Sequence, residues 1–323
     1  MKMRDRLFGF LFQAESDSWL AILRIGLGLQ IICYALSLRH DWNALYAGEA
    51  NVFISRDLTE AILRIENPLV PQIGFFVTLG KQTGLSEQAT LSILWMLLFC
   101  AGCTLLLGFF SRSSAVLAWL LHLCAAKSGD FFAYGLDNLM TIGLFYLAIA
   151  PLPDRYALDV KLWKSAMANP ARLGFHRRVL QVHLCVIYFF SGLTKCLGDG
   201  WWNGASIWRA LTRPPFNIIP LELLAAGRMV LPLAGMAVCL IETGYPVFIW
   251  LRKTRSLWLI SVVAMHMAIG LSMGLLLFSL IMVILNVAAF GADGFALPRR
   301  VSRWFVGVST RKTPQQSAIF RAA

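Results

Sequence analysis

Eight stretches of this chain are long and nearly uncharged, and that pattern constrains the fold more than any motif does. They cover about 19–38, 89–110, 113–126, 138–152, 179–194, 229–251, 257–272 and 274–290. Crossing the hydrocarbon of a bilayer takes about 20 apolar residues as a helix, because a helix satisfies its own backbone where no water can. The predicted fold class is therefore all-α: a polytopic membrane helix bundle of about eight transmembrane spans. The third and fourth stretches are short, and only "SMG" separates the last two, so seven to nine spans fit the pattern. With 58% hydrophobic and 14% charged residues among 323, the chain is too apolar for a soluble domain, in which about a quarter of residues are charged.

Lysine and arginine sort the connections. Segments at the N-terminus, after the second, fourth and sixth stretches, and at the C-terminus hold 19 of the 29 basic residues; the alternate connections hold 9, and Arg24 lies inside the first stretch. The positive-inside rule then predicts cytoplasmic termini and an even span number. On this reading 1–18 is a cytoplasmic N-terminal segment, 19–290 the transmembrane domain, 39–88 an extracytoplasmic amphipathic insertion and 291–323 a basic cytoplasmic tail. The start, "MKMRDRLFGFLFQA", has too short an apolar run for a removed signal peptide, so the first helix is expected to stay. The net charge of +12 is the charge of membrane anchors facing anionic headgroups, and nucleic acid is not expected as a partner. Localisation is expected in a bilayer, the inner (plasma) membrane of a bacterium.

Ionisable residues within or at the edge of a span are costly and ask for a partner or a task. On the predicted topology, His122, Lys195 and His266 fall toward the outer ends of the third, fifth and seventh spans. The loop "KSGDFFAYGLDN" brings Lys127, Asp130, Tyr134 and Asp137 to the same level. Lys195 stands in "YFFSGLTKCLGDGWWNG", beside the interfacial pair Trp201 and Trp202, on a segment "GDGWWNGASIWRAL" that reads as re-entrant or interfacial. A lysine there either snorkels to the headgroups or, partly desolvated, works as an amine base. His122 and His266, taken singly, read first as satisfied core histidines and second as orienting groups. Glu242, near the middle of the sixth span, and Arg24, in the first, are the two intramembrane opposite charges, and a structural pair between them is expected. The seven cysteines lie mostly in apolar runs, including Cys100 and Cys103, and read as packing; no metal site is expected. No Ser-His-Asp signature, His-x-x-x-His spacing or Walker motif is present.

The block "QVHLCVIYFFSGLTKCLGDGWWNG", with "AYGLDN" ahead of the fourth span and "IETGYPVFIW" followed by "HMAIGLSMGLLLFS", resembles the HTTM (horizontally transferred transmembrane domain) family. That family is related to the transmembrane part of vitamin K-dependent gamma-carboxylase, and the resemblance runs over most of the chain, from about residue 21 to 290. It implies that Lys195 is the base that deprotonates a reduced quinone of vitamin K type, with His266 and His122 as accompanying catalytic groups. Asp130, Tyr134, Asp137, Trp201 and Trp202 would then line the substrate side. Asp130 stands where a carboxylase histidine would align, and the large lumenal domain of the carboxylase is not expected after the last span. Carboxylase-like chemistry on an exported peptide or lipid-soluble substrate, a non-catalytic role in maturing an exported protein, and proton-coupled transport are the three functional expectations.

Overall fold

The structure, a computed structural model, describes residues 3–48, 54–66, 68–131, 133–165 and 168–292. Among these residues every regular element is helical: α1 (Met3–Leu11), α2 (Ser18–Ser37), α3 (Trp42–Leu45), α4 (Arg56–Glu66), α5 (Ile73–Gln82), α6 (Glu87–Leu107), α7 (Ser111–Ser128), α8 (Gly135–Ile149), α9 (Leu158–Trp163), α10 (Pro170–Cys196), α11 (Asp199–Trp202), α12 (Ala205–Thr212), α13 (Leu221–Ala226), α14 (Leu231–Phe248), α15 (Arg255–Met273) and α16 (Leu276–Asn286), which runs on as a π-turn over Val287–Gly291. Most of the basic tail expected over 291–323 lies outside the described residues.

Helices stand at all eight apolar stretches, and five are long and apolar enough to cross a membrane: α2, α6, α10, α14 with the turn before it, and α15. The other three are shorter or more polar. At 1.5 Å per residue the 15 residues of α8 reach about 22 Å, short of a hydrocarbon core of about 30 Å. Burial explains how short helices persist: Ala115, Ala118, Met140, Leu144, Leu285 and Ala289 are all sealed in the core, so α7, α8 and α16 each pack one face against protein.

Helix α10 begins where Asn169 accepts from the Ala171 amide at 2.8 Å, with Pro170 at the first helical position, where its missing N–H is no loss. It starts earlier than the apolar pattern predicted because "PARLGFHRR" continues the helix in polar form. It packs antiparallel to α14, and Gly192 sets their spacing. A Cβ there would lie 2.6 Å from the Thr243 amide nitrogen and 2.9 Å from the Glu242 carbonyl carbon, so any side chain would force the backbones apart. Pro246, inside α14, has no N–H for the carbonyl four residues back, that of Glu242. The insertion 39–88 folds as α3, α4 and α5, packed on α6 and α7, with the buried Glu60 accepting from Ser128 Oγ at 2.7 Å and the Gly74 amide at 2.9 Å.

Candidate functional site

On α10, Tyr188, Ser191, Gly192 and Lys195 fall three to four residues apart and so share one face. On α14, Glu242 and Tyr245 do the same. The antiparallel seam therefore stacks two rungs, Lys195 on Glu242 and Tyr188 on Tyr245.

In the first rung, Lys195 Nζ donates to Glu242 Oε2 and to Ser191 Oγ, each at 2.6 Å. The side chains are 20% and 8% exposed, so the pair is sheltered yet open to a ligand. The Trp201 ring, on α11, lies 5.4 Å from Nζ, within reach of a cation–π contact. Trp202 is exposed, and its indole N–H donates to the Cys196 carbonyl at 2.8 Å, which fastens α11 to the end of α10. Phe190, Leu193 and Leu197 stand exposed on the opposite face of α10.

In the second rung the Tyr188 and Tyr245 rings stack at 4.2 Å and lead into a hydrogen-bond chain. Asn286 Nδ2 donates to the Met282 carbonyl at 2.8 Å, which fixes the amide, since only a donor can face a carbonyl. The Tyr245 hydroxyl then donates to Asn286 Oδ1 at 2.7 Å, and Asn286 Nδ2 also donates to the Tyr188 oxygen at 2.9 Å. The Tyr188 oxygen lies 2.8 Å from His266 Nε2; since it already accepts from Asn286, the assignment that gives its own proton an acceptor has Tyr188 donating to His266. This order places the His266 proton on Nδ1, which is buried and has no hydrogen-bond partner among the described residues. His266 is further held by its carbonyl, which accepts from Ser279 Oγ at 2.5 Å, and it lies within electrostatic reach of Lys195.

His122 sits elsewhere, fully buried on α7. Its Nε2 meets the Asp137 carbonyl at 3.2 Å, its ring stands edge-on to Tyr34, and its Nδ1 has no partner among the described residues. The buried Asp137 carboxylate accepts from the Tyr134 amide at 3.0 Å at the start of α8. Burial, with Asp137 adding to it, raises the proton affinity of the half-exposed Tyr134 hydroxyl. Asp130 is apart from both clusters, in an exposed pair with Lys127 at 3.2 Å. The two buried clusters are bridged by Phe278, whose ring is edge-on to His266 at 5.8 Å and abuts Gly135.

The expected pair between Arg24 and Glu242 does not form. Arg24 instead holds Asp154, Nε to Oδ2 at 2.5 Å, and donates to the carbonyls of Leu105 and Leu106 at 2.9 and 2.8 Å. The turn after α8 folds "LPDRY" back against α2, which brings Asp154 to Arg24, while the α10–α14 seam gives Glu242 to Lys195. Sequence reasoning also passed over Ser191, Tyr188, Tyr245 and Asn286. Asn286 left a signal, a lone amide in the apolar run "FSLIMVILNVAAF". Among the described residues no three His, Cys, Asp or Glu side chains gather as a metal site. Comparison with known protein families, curated proteins and solved structures finds no match.

Proposed function

We propose that this is an HTTM-type integral membrane protein of a bacterial inner membrane, with about eight membrane-embedded helices and cytoplasmic termini. Its Lys195 removes a proton from a lipid-soluble substrate at the outer boundary of the bilayer. The carrying observation is the Lys195–Glu242 pair, sheltered but not sealed, at the end of a helix and beside an aromatic ring. Movement of the shared proton from Nζ to Oε2 leaves a neutral amine and a neutral acid and puts no net charge into the bilayer. The amine can then accept a proton from a substrate hydroxyl, and the resulting ammonium stands beside the oxyanion it creates. Ser191 keeps Nζ aimed during the exchange. His266 serves as an orienting group through Tyr188, its own Nδ1 being buried.

A reduced quinone suits these residues: an indole for its face and an amine for its hydroxyl. When bound, such a quinol supplies through its oxidation by oxygen a base stronger than any side chain. The test is oxygen-dependent consumption of a reduced naphthoquinone by the reconstituted protein, with a small glutamate-containing peptide supplied. Loss of consumption in Lys195→Met with retained folding supports the reading; equal rates in wild type and variant overturn it. Quenching of Trp201 fluorescence, read against Trp201→Phe, follows binding independently of turnover.

A second reading rests on the insertion, where Leu58, Ile62, Ile65, Leu69, Phe75 and Leu79 are exposed. An exported protein held on this face makes the chain a maturation partner. Removal of α4 and α5 then harms function more than Lys195→Met does.

A further inference from the structure

Two thiols that the Lys195–Glu242 exchange does not use stand beside it, Cys196 next after Lys195 on α10 and Cys239 three residues before Glu242 on α14. The seam brings them together. At Gly192 a Cβ would collide with the backbone of Thr243, and in an antiparallel pair one turn forward on α10 is one turn back on α14. Four residues on from Gly192 is Cys196, and four back from Thr243 is Cys239. Their side chains are close enough to share a hydrogen bond, and Lys195 and Glu242 lie within electrostatic reach of the Cys239 sulfur. Cys239 is 2% exposed and Cys196 is half-buried, so a reagent from outside the bundle meets Cys196 first. Cys100 and Cys103 also lie near one another, but both stand on α6 and a bridge there would join no second element.

We infer that Cys196 and Cys239 are a redox pair whose disulfide clasps α10 to α14 beside the Lys195–Glu242 pair. A bridge needs sulfurs that already face one another across two elements, and the register of the seam supplies that. The oxidant is a second molecule carrying a disulfide, and the step is thiol–disulfide exchange. The Cys196 thiolate attacks one sulfur of that disulfide, the oxidant's S–S bond breaks and a mixed disulfide forms. The Cys239 thiolate then attacks the Cys196 sulfur, the mixed bond breaks and the second thiol of the oxidant leaves. Both cysteine protons end on the two thiols of the reduced oxidant, which has taken up two electrons. The clasp bears on the site. The Cys196 carbonyl holds the Trp202 indole at 2.8 Å, and at Gly235, one turn before Cys239, the Trp201 backbone lies against α14. A closed bridge therefore fixes α11, and with it Trp201, beside Lys195; an open one lets that end of α10 part from α14. The compartment that supplies the oxidant, though not the bridge itself, rests on the reading of Lys195 at the outer boundary, on the side where disulfides persist.

The experiment uses the full chain in nanodiscs, treated with oxidised or with reduced glutathione, quenched in acid, alkylated and digested for mass spectrometry. Oxidised glutathione is expected to yield a cross-linked peptide joining Cys196 to Cys239. It is also expected to raise the melting temperature by several degrees over the reduced protein, since the bridge closes the whole chain between the two helices into a loop. Cys239→Ser is expected to stop the reaction at a glutathione adduct on Cys196 and to abolish the shift, whereas Cys33→Ser changes neither readout. Free thiols at both positions after oxidation, a bridge from Cys196 to another cysteine, or the same shift in Cys239→Ser would overturn the proposal. If Cys239→Ser does not fold, Cys196→Ala decides, because its half-buried side chain is the easier one to trim and its loss must remove both the cross-link and the shift. The side is read separately, with a membrane-impermeant maleimide on intact cells carrying Cys239→Ser. Labelling of Cys196 before lysis is expected; labelling only after lysis would overturn the outer placement of Lys195 and leave the bridge standing.

Discussion

Two of the ion pairs in this bundle are built to opposite specifications. Arg24 and Asp154 are 1% and 0% exposed, and Arg24 also meets two main-chain carbonyls while Asp154 accepts the Tyr156 amide at 3.0 Å. Lys195 and Glu242 are partly open, with Ser191 as the one further side chain in hydrogen-bond contact. A sealed charge needs every lone pair and proton matched, because nothing else will solvate it. An open one can exchange partners. The first pair fixes how α2, α6 and the turn after α8 meet, and the second leaves a group free to react.

The comparison breaks most visibly at Arg24. Arg24→Met strands Asp154 as an uncompensated buried carboxylate, and a loss of about 3–5 kcal/mol is expected, read as loss of the monodisperse peak in detergent or a collapsed melting temperature. Lys195→Met is the counterpart: base-dependent turnover falls by about 100-fold or more, while the melting temperature stays within a few degrees. A collapse in both variants would erase the distinction drawn here. Gly192→Leu tests the seam that unites the open pair. Wedging α10 from α14 is expected to cost about 1–3 kcal/mol and to lower turnover even though Lys195 and Glu242 are intact. Tyr188→Phe removes the hydroxyl between Asn286 and His266, and a loss of about tenfold in turnover is expected, in line with one orphaned buried partner. Smallest of all, Lys127→Ala removes an exposed pair, and a change under about 1 kcal/mol is expected.

The length of the apolar runs placed the helices well. Apolar runs mark helices because the same hydrophobic length that suits lipid also suits a buried bundle element, so α8 and α16 were legible as helices while their shortness as spans was visible only in outline. Lys195, Glu242 and Arg24 were conspicuous singly, since each is expensive where it stands. Their partners were not, because pairing depends on which helices adjoin, and a sequence lists charges without neighbours. Asp154 illustrates this: it follows the fourth apolar stretch and reads as loop, yet the turn carries it into the interior. His122 and Lys195 fell at similar heights in the bundle, but height alone did not reveal that Phe278 stands between their clusters.

The chain from Tyr245 through Asn286 and Tyr188 to His266 carries one further implication. Hydroxyls and imidazoles can pass a proton along by receiving it on one side and releasing it on the other; a carboxamide has no such traffic, since its nitrogen is not a base. With Asn286 pinned by the Met282 carbonyl, the file of donors has a fixed sense and an insulating link at its centre. It is a strut and not a wire: it keeps one imidazole tautomer in place, and it denies protons a relay through this row of side chains.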